Sequence, residues 1–131
     1  MTEQQYQNEM RKMIKQIELL NIWLFLKQKG KHVKTFFKEH GIQTVAIYGM
    51  SLLGERLFDE LEESGIEVRY GIDINPSKIL SRCKIYVPNE DLPQVDAIIV
   101  TPVIYYNEIK RNLETRIDCS IISLEEVLEE I

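Results

Sequence analysis

A chain of 131 residues, 44% of them apolar, can bury one hydrophobic core and is too short for two full domains. Its apolar runs are broken by Lys, Glu or Gln well before the ~18 consecutive residues that a membrane span needs, which excludes a transmembrane segment. The net charge of −5 divides unevenly: residues 1–40 hold eight Lys and Arg against four Asp and Glu, a balance of +4, and residues 41–131 hold eight against seventeen, a balance of −9.

Opposite charge on the two parts predicts that the basic arm docks on its own acidic body or on a twin subunit. So acidic a body also argues against nucleic acid as a partner. Met1 to Gln5 show no basic segment followed by an apolar core, so the expectation is a chain without an export signal and a cytoplasmic location. Cys83 and Cys119 match no metal-ligand spacing, and His32 and His40 are remote from them in sequence; both thiols are read as buried or idle rather than as ligands.

Thr2 followed by Gln5 fits a capping box, and Met10, Met13, Ile14, Ile17, Leu20 and Leu24 recur at steps of three and four, predicting a long amphipathic helix that ends near Gly30. Ile22, Trp23, Phe25 and Leu26 widen the apolar surface, so both sides of this helix are expected to be covered, one of them by a second copy. His32 to His40 reads as a short second helix stopped by Gly41, with His40 as a cation favourable to the helix C-terminus.

From Thr44 the pattern alternates. Thr44–Tyr48 is a continuous apolar run, the mark of a strand covered on both faces. Leu53, Leu57, Phe58 and Leu61 predict a helix that Ser64-Gly65 ends, and Glu67–Ile72 a second strand stopped at Asp73-Ile74-Asn75-Pro76. Lys84–Val87 is a weaker strand and Ala97–Val100 a buried one closed by Thr101-Pro102. Residues 103–115 are in helical register, Ser120–Ile122 is a last strand, and Ser123 with Glu126 forms a capping box for a terminal helix.

Strands alternating with helices imply parallel pairing through right-handed crossovers. The expected fold is α/β: a Rossmann-like, doubly wound parallel sheet of about five strands in the order 3-2-1-4-5, residues 42–131, preceded by an N-terminal helical arm, residues 1–41. Ligands of such sheets bind beyond the C-terminal strand ends, where the order reverses between the first and fourth strands.

That rule directs attention to Gly49–Gly54. In G-x-G-x-x-G the first glycine makes the turn, the second admits the pyrophosphate and the third packs helix on strand. Gly49 and Gly54 take the first and third roles, and Ser51 stands at the second, where its hydroxyl can donate to a phosphate at the helix N-terminus. Asp73 lies nineteen residues after Gly54, where a ribose-binding acid is expected, and it also suits a turn before Asn75-Pro76. Met50 and Leu52 are large and apolar. They either plug the site or form a contact for a partner subunit. Tyr106 and Lys110 match Y-x-x-x-K, weakly, since no catalytic serine accompanies them, and no complete catalytic set appears.

The strings "AIYGMSLLGERLFDELEESGIEVRYGIDINPSK", "KIYVPNEDLP" and "DAIIVTPVIYYNEI" together resemble the Rossmann-like nucleotide-binding domain of bacterial surface-polysaccharide and sugar-nucleotide enzymes, over about residues 42 to 123. The resemblance implies a cofactor-binding set of Gly49, Met50, Ser51, Leu52, Gly54, Asp73, Asn75, Thr101 and Pro102. Gly49, Ser51 and Gly54 would face the phosphates, Asp73 and Asn75 the adenosine end, and Thr101 and Pro102 the next sugar. The implied ligands are NAD(H), NADP(H) or a nucleotide sugar, held by an accessory or non-catalytic domain linked to polysaccharide synthesis; the apolar helical arm, outside the resemblance, adds the expectation of a homodimer through the N-terminal helices. Two other readings compete with it: an interaction module with an empty, degenerate site, and a short-chain dehydrogenase or epimerase using Tyr106 and Lys110.

Overall fold

Five strands, β1 (Thr44–Tyr48), β2 (Glu67–Ile72), β3 (Ile85–Tyr86), β4 (Ala97–Val100) and β5 (Ser120–Ser123), pair in parallel in the order β3-β2-β1-β4-β5. The structure is a computed structural model describing residues 1–76 and 82–131, so Ser77 and Lys78 of the quoted motif lie outside the described residues. The fold class and strand order are those expected from the alternating pattern. The register sets Tyr48 beside Ile72 and Val100, and Val100 beside Ser123, so the loops after β1, β2 and β4 emerge along one rim.

Alternate residues of the central strands enter two separate cores. Val45, Ile47, Ala97, Ile99 and Ile122 face one side, where α3 (Leu52–Ser64) and α5 (Leu124–Glu129) lie with α2 (Lys34–Glu39). Ala46, Ile98, Val100 and Ile121 face the other, packed by Leu113 of α4 (Tyr106–Glu114) and by Val95. Two-sided burial is what the unbroken apolar strand sequences require.

Several boundaries differ from the sequence reading. Pairing of β3 is limited to Ile85–Tyr86, and a 3-10 turn, Val103–Tyr105, precedes α4 because the backbone at Pro102 is not helical. Ser123 caps α5 through the Glu125 amide at 3.2 Å rather than as half of a reciprocal box. The box at the other end of the chain is complete: Gln5 N donates to Thr2 Oγ1 at 3.1 Å, and Thr2 N to Gln5 Oε1 at 2.7 Å.

The long helix α1 (Glu3–Gln28) buries only Leu19 and Trp23. They join Val33, Phe36 and Phe37 in the core shared with β1 and α3. The attachment is completed by Glu60 of α3, a carboxylate only 8% exposed. It accepts from Trp23 Nε1 at 2.9 Å and from the Val33 amide at 2.7 Å, with Lys27 Nζ at 3.4 Å. Lys15 with Glu125 adds a surface ion pair between arm and body, as the charge asymmetry predicts, and His40 Nε2 lies 3.1 Å from Glu130 Oε1. The Met10–Leu24 stripe, by contrast, is left uncovered: Met10, Met13, Ile14, Ile17 and Leu24 are exposed. Apolar residues occupy two sides of α1, and the body covers the side with Trp23. No helix among the described residues is long and apolar enough to cross a membrane.

At the opposite rim, Asp96 ties the start of β4 to that of β1. Its Oδ2 accepts from the amides of Gln43 (2.9 Å) and Thr44 (3.0 Å), while its own amide donates to Thr44 Oγ1 at 2.9 Å. The two amides hold its carboxyl below the usual carboxylate range. A depressed native pKa contributes stability above the ordinary value, lost as pH falls through the native one. Asp96→Asn therefore lowers the melting temperature at neutral pH, and the deficit shrinks in strongly acidic buffer. A deficit independent of pH contradicts this.

Candidate functional site

The rim where β1 and β4 diverge carries a cleft of about 450 Å³. Its floor is the β1–α3 loop. Gly49 has φ of +90° and its amide donates to the Ile72 carbonyl at 2.8 Å, which prolongs the β1–β2 ladder before the chain turns away. A Cβ at Gly49 would strike Thr101 Oγ1 and Pro102, and one at Gly54 would strike the Gly49 carbonyl oxygen. Gly49 thus needs glycine for conformation as well as contact, and Gly54, inside α3, for contact alone.

Ser51 is the N-cap of α3, is exposed, and makes no side-chain capping bond, so its hydroxyl is left to the cleft. Among the described residues, the amides of Ser51, Leu52 and Leu53 meet no acceptor. They carry the partial positive charge of the helix N-terminus toward the cleft floor.

Met50 is 3% exposed and lies outside the cleft. Its side chain rests on β2, where a Cβ on Gly71 would collide with Met50 Cγ and Ile85 Cδ1. The missing side chain at Gly71 is therefore the seat for Met50. Leu52 is half exposed on the outside of α3 and does not line the cleft either. Neither large side chain plugs the site, and Met50 is no surface contact.

Asp73 forms part of the wall, and both its oxygens take backbone amides: Oδ2 from Met50 at 3.1 Å and Oδ1 from Asn75 at 2.9 Å. The side chain is thus a turn-former that also braces the glycine loop. Each oxygen retains a lone pair for a hydroxyl donor. Beside it Tyr48 lines the cleft, its phenol pKa raised by burial and then by the Asp73 charge, so it stays a neutral hydrogen-bonding group. Asn75 and Ile74 are exposed at the mouth. Thr101 is buried, and its hydroxyl sits 2.8 Å from the Gly49 carbonyl and 3.0 Å from that of Tyr48, so it secures the loop. Pro102 lines the far wall.

Sequence reasoning missed the contribution of α1. Lys12 and Gln16 reach over the cleft, and Lys12 is the one cation lining it among the described residues, against Asp73 and Glu108. The signal is their spacing: Lys12, Gln16, Leu19 and Trp23 fall on one helical face, the face that docks. Tyr105 and Ile109 close the side next to α4.

Tyr106 and Lys110 lie outside the cleft. The Tyr106 hydroxyl donates to the Ile121 carbonyl at 2.6 Å, and burial raises its pKa in spite of Lys110. A tyrosine so placed has its hydroxyl proton engaged by the backbone and its phenol kept neutral. Burial also pushes the Cys119 thiol up to about 11, which keeps it protonated and unreactive. Comparison with known proteins finds no matching family model, curated protein or solved structure.

Proposed function

We propose that the cleft binds a ligand carrying a pyrophosphate between two sugars, NAD(H) or a nucleotide sugar, and that the chain is an accessory binding domain without catalysis of its own. The observation that supports this most is the open floor over three unpartnered amides of α3, with Lys12 facing it from α1. The amides and the Ser51 hydroxyl hold the phosphates, the Lys12 ammonium offsets their charge, and Asp73 accepts from a ribose hydroxyl. A carboxylate at the ribose end repels a 2′-phosphate, so NAD(H) is favoured over NADP(H). The motif resemblance connects the ligand with surface-polysaccharide or sugar-nucleotide chemistry.

Millimolar NAD(H) or UDP-sugar is expected to raise the melting temperature by several degrees, since ligand at a hundred times its Kd stabilises by about 2.7 kcal/mol. Lys12→Gln, at a half-buried position with no ion pair to the body among the described residues, leaves the unliganded melting temperature nearly unchanged and weakens binding about tenfold. Asp73→Asn weakens NAD(H) more than inorganic pyrophosphate. No shift with any of these ligands contradicts the assignment.

A further inference from the structure

The outward face of α1 carries a self-complementary pattern that the body of the protein leaves uncovered. Tyr6, Met10, Met13, Ile17, Leu20 and Leu24 are separated by four, three, four, three and four residues, which is the a/d repeat of a two-stranded coiled coil. Five of these six side chains, together with neighbouring Ile14 and Phe25, are between 50% and 64% exposed; Leu20 is half-buried against the body. Seven large apolar side chains exposed along one helix form a contiguous patch of the kind that marks an interaction site.

From this we infer that α1 is the dimer interface of the protein, pairing antiparallel with α1 of a second copy about a two-fold axis near residue 15. In that register Tyr6 faces Leu24 of the other copy, Met10 faces Leu20, and Met13 faces Ile17, so every large side chain meets another. Ile14 meets its own equivalent beside the axis.

Charge fixes the direction. Residues 3–10 of α1 carry Glu3 and Glu9 and no Lys or Arg, and the turn after its C-terminal end carries Lys29 and Lys31, while Lys27 is held by Glu60 of the body. Antiparallel pairing sets acids against lysines and opposes the helix dipoles, whereas parallel pairing sets like charge on like. The polar residues flanking the stripe, Gln7 and Asn21 on one side and Glu9 and Gln16 on the other, are acidic or neutral, which disfavours an anionic lipid surface as the occupant. The two-fold places the same patch on both copies, so the contact closes on itself. In this repeat Lys12 falls at c, off the seam, and stays accessible in the dimer, while Gln16 falls at g on the flank of the seam.

Sedimentation equilibrium of the full chain in the high micromolar range tests this. The wild type is expected to be a dimer. Ile17→Glu, a change at an exposed position, retains the helical circular dichroism and raises the dimer dissociation constant about a hundredfold or more, because two buried side chains are lost per dimer. Direction is read by mild oxidation: Met10→Cys/Leu20→Cys gives covalent dimers, and Met10→Cys alone gives no more than the wild-type chain with its native thiols. A monomeric wild type, a dimer indifferent to Ile17→Glu, or ready cross-linking of Met10→Cys alone overturns the proposal. A monomer that binds anionic vesicles through this face overturns it as well.

Discussion

Glu60→Ala is expected to lower the unfolding free energy by about 3 to 5 kcal/mol, a large share of what a domain of this size possesses. The carboxylate is nearly buried, and its removal strands the Trp23 indole N–H and the Val33 amide without acceptors while leaving Lys27 beside a cavity. Trp23 is the sole tryptophan of the chain, so its emission reports the docking of α1 directly. A red shift together with a lower urea midpoint is the expected result. Unchanged emission and midpoint would show that apolar contacts at Leu19 and Trp23 hold the helix by themselves. Because α1 also delivers Lys12 to the cleft, the same variant is expected to lose affinity for an anionic ligand.

Gly54→Ala carries the second large effect. The added methyl runs into the Gly49 carbonyl oxygen, and the loop backbone there is fixed by the Gly49 amide on Ile72 and by Thr101 Oγ1 on two carbonyls. Overpacking against backbone has no flexible side chain to absorb it, so α3 must move off β1 at a cost of about 3 kcal/mol. The amides of Ser51–Leu53 move with it, and ligand-induced stabilisation should vanish. The check is a thermal melt with and without NAD(H). A variant that melts and binds like the wild type would mean that the helix-to-strand contact is looser than its geometry implies.

How much of this was legible in the sequence depended on whether the relevant force was local. The strands were readable because two-sided burial demands unbroken apolar runs such as Ala97–Val100, and the strand order followed from the handedness of crossovers. Gly49 and Gly54 were readable because close backbone approach admits only glycine. The destination of Met50 was not, since it depends on an empty position at Gly71 across the sheet, twenty-one residues away. Glu60 looked like one more acid on a solvated helix face; nothing near it in sequence announces Trp23 and Val33 as partners. For α1, periodicity showed two apolar sides without showing which one the body would take, and the side that docks is the one bringing Lys12 to the cleft. The Tyr106–Lys110 spacing was visible, but the acceptor that occupies the hydroxyl, the Ile121 carbonyl, belongs to a strand formed later in the chain.

The most direct measurement is a titration of the ¹⁵N-labelled full chain with NAD(H) and with a UDP-sugar, followed through the backbone amide resonances. Binding at the switch point shifts the signals of Gly49, Ser51, Leu52 and Leu53 together, with Asp73 and Lys12 close behind, and leaves those of β5 in place. Spectra in which these loop amides stay still at millimolar ligand, or in which the shifts fall elsewhere, would contradict the nucleotide-binding account.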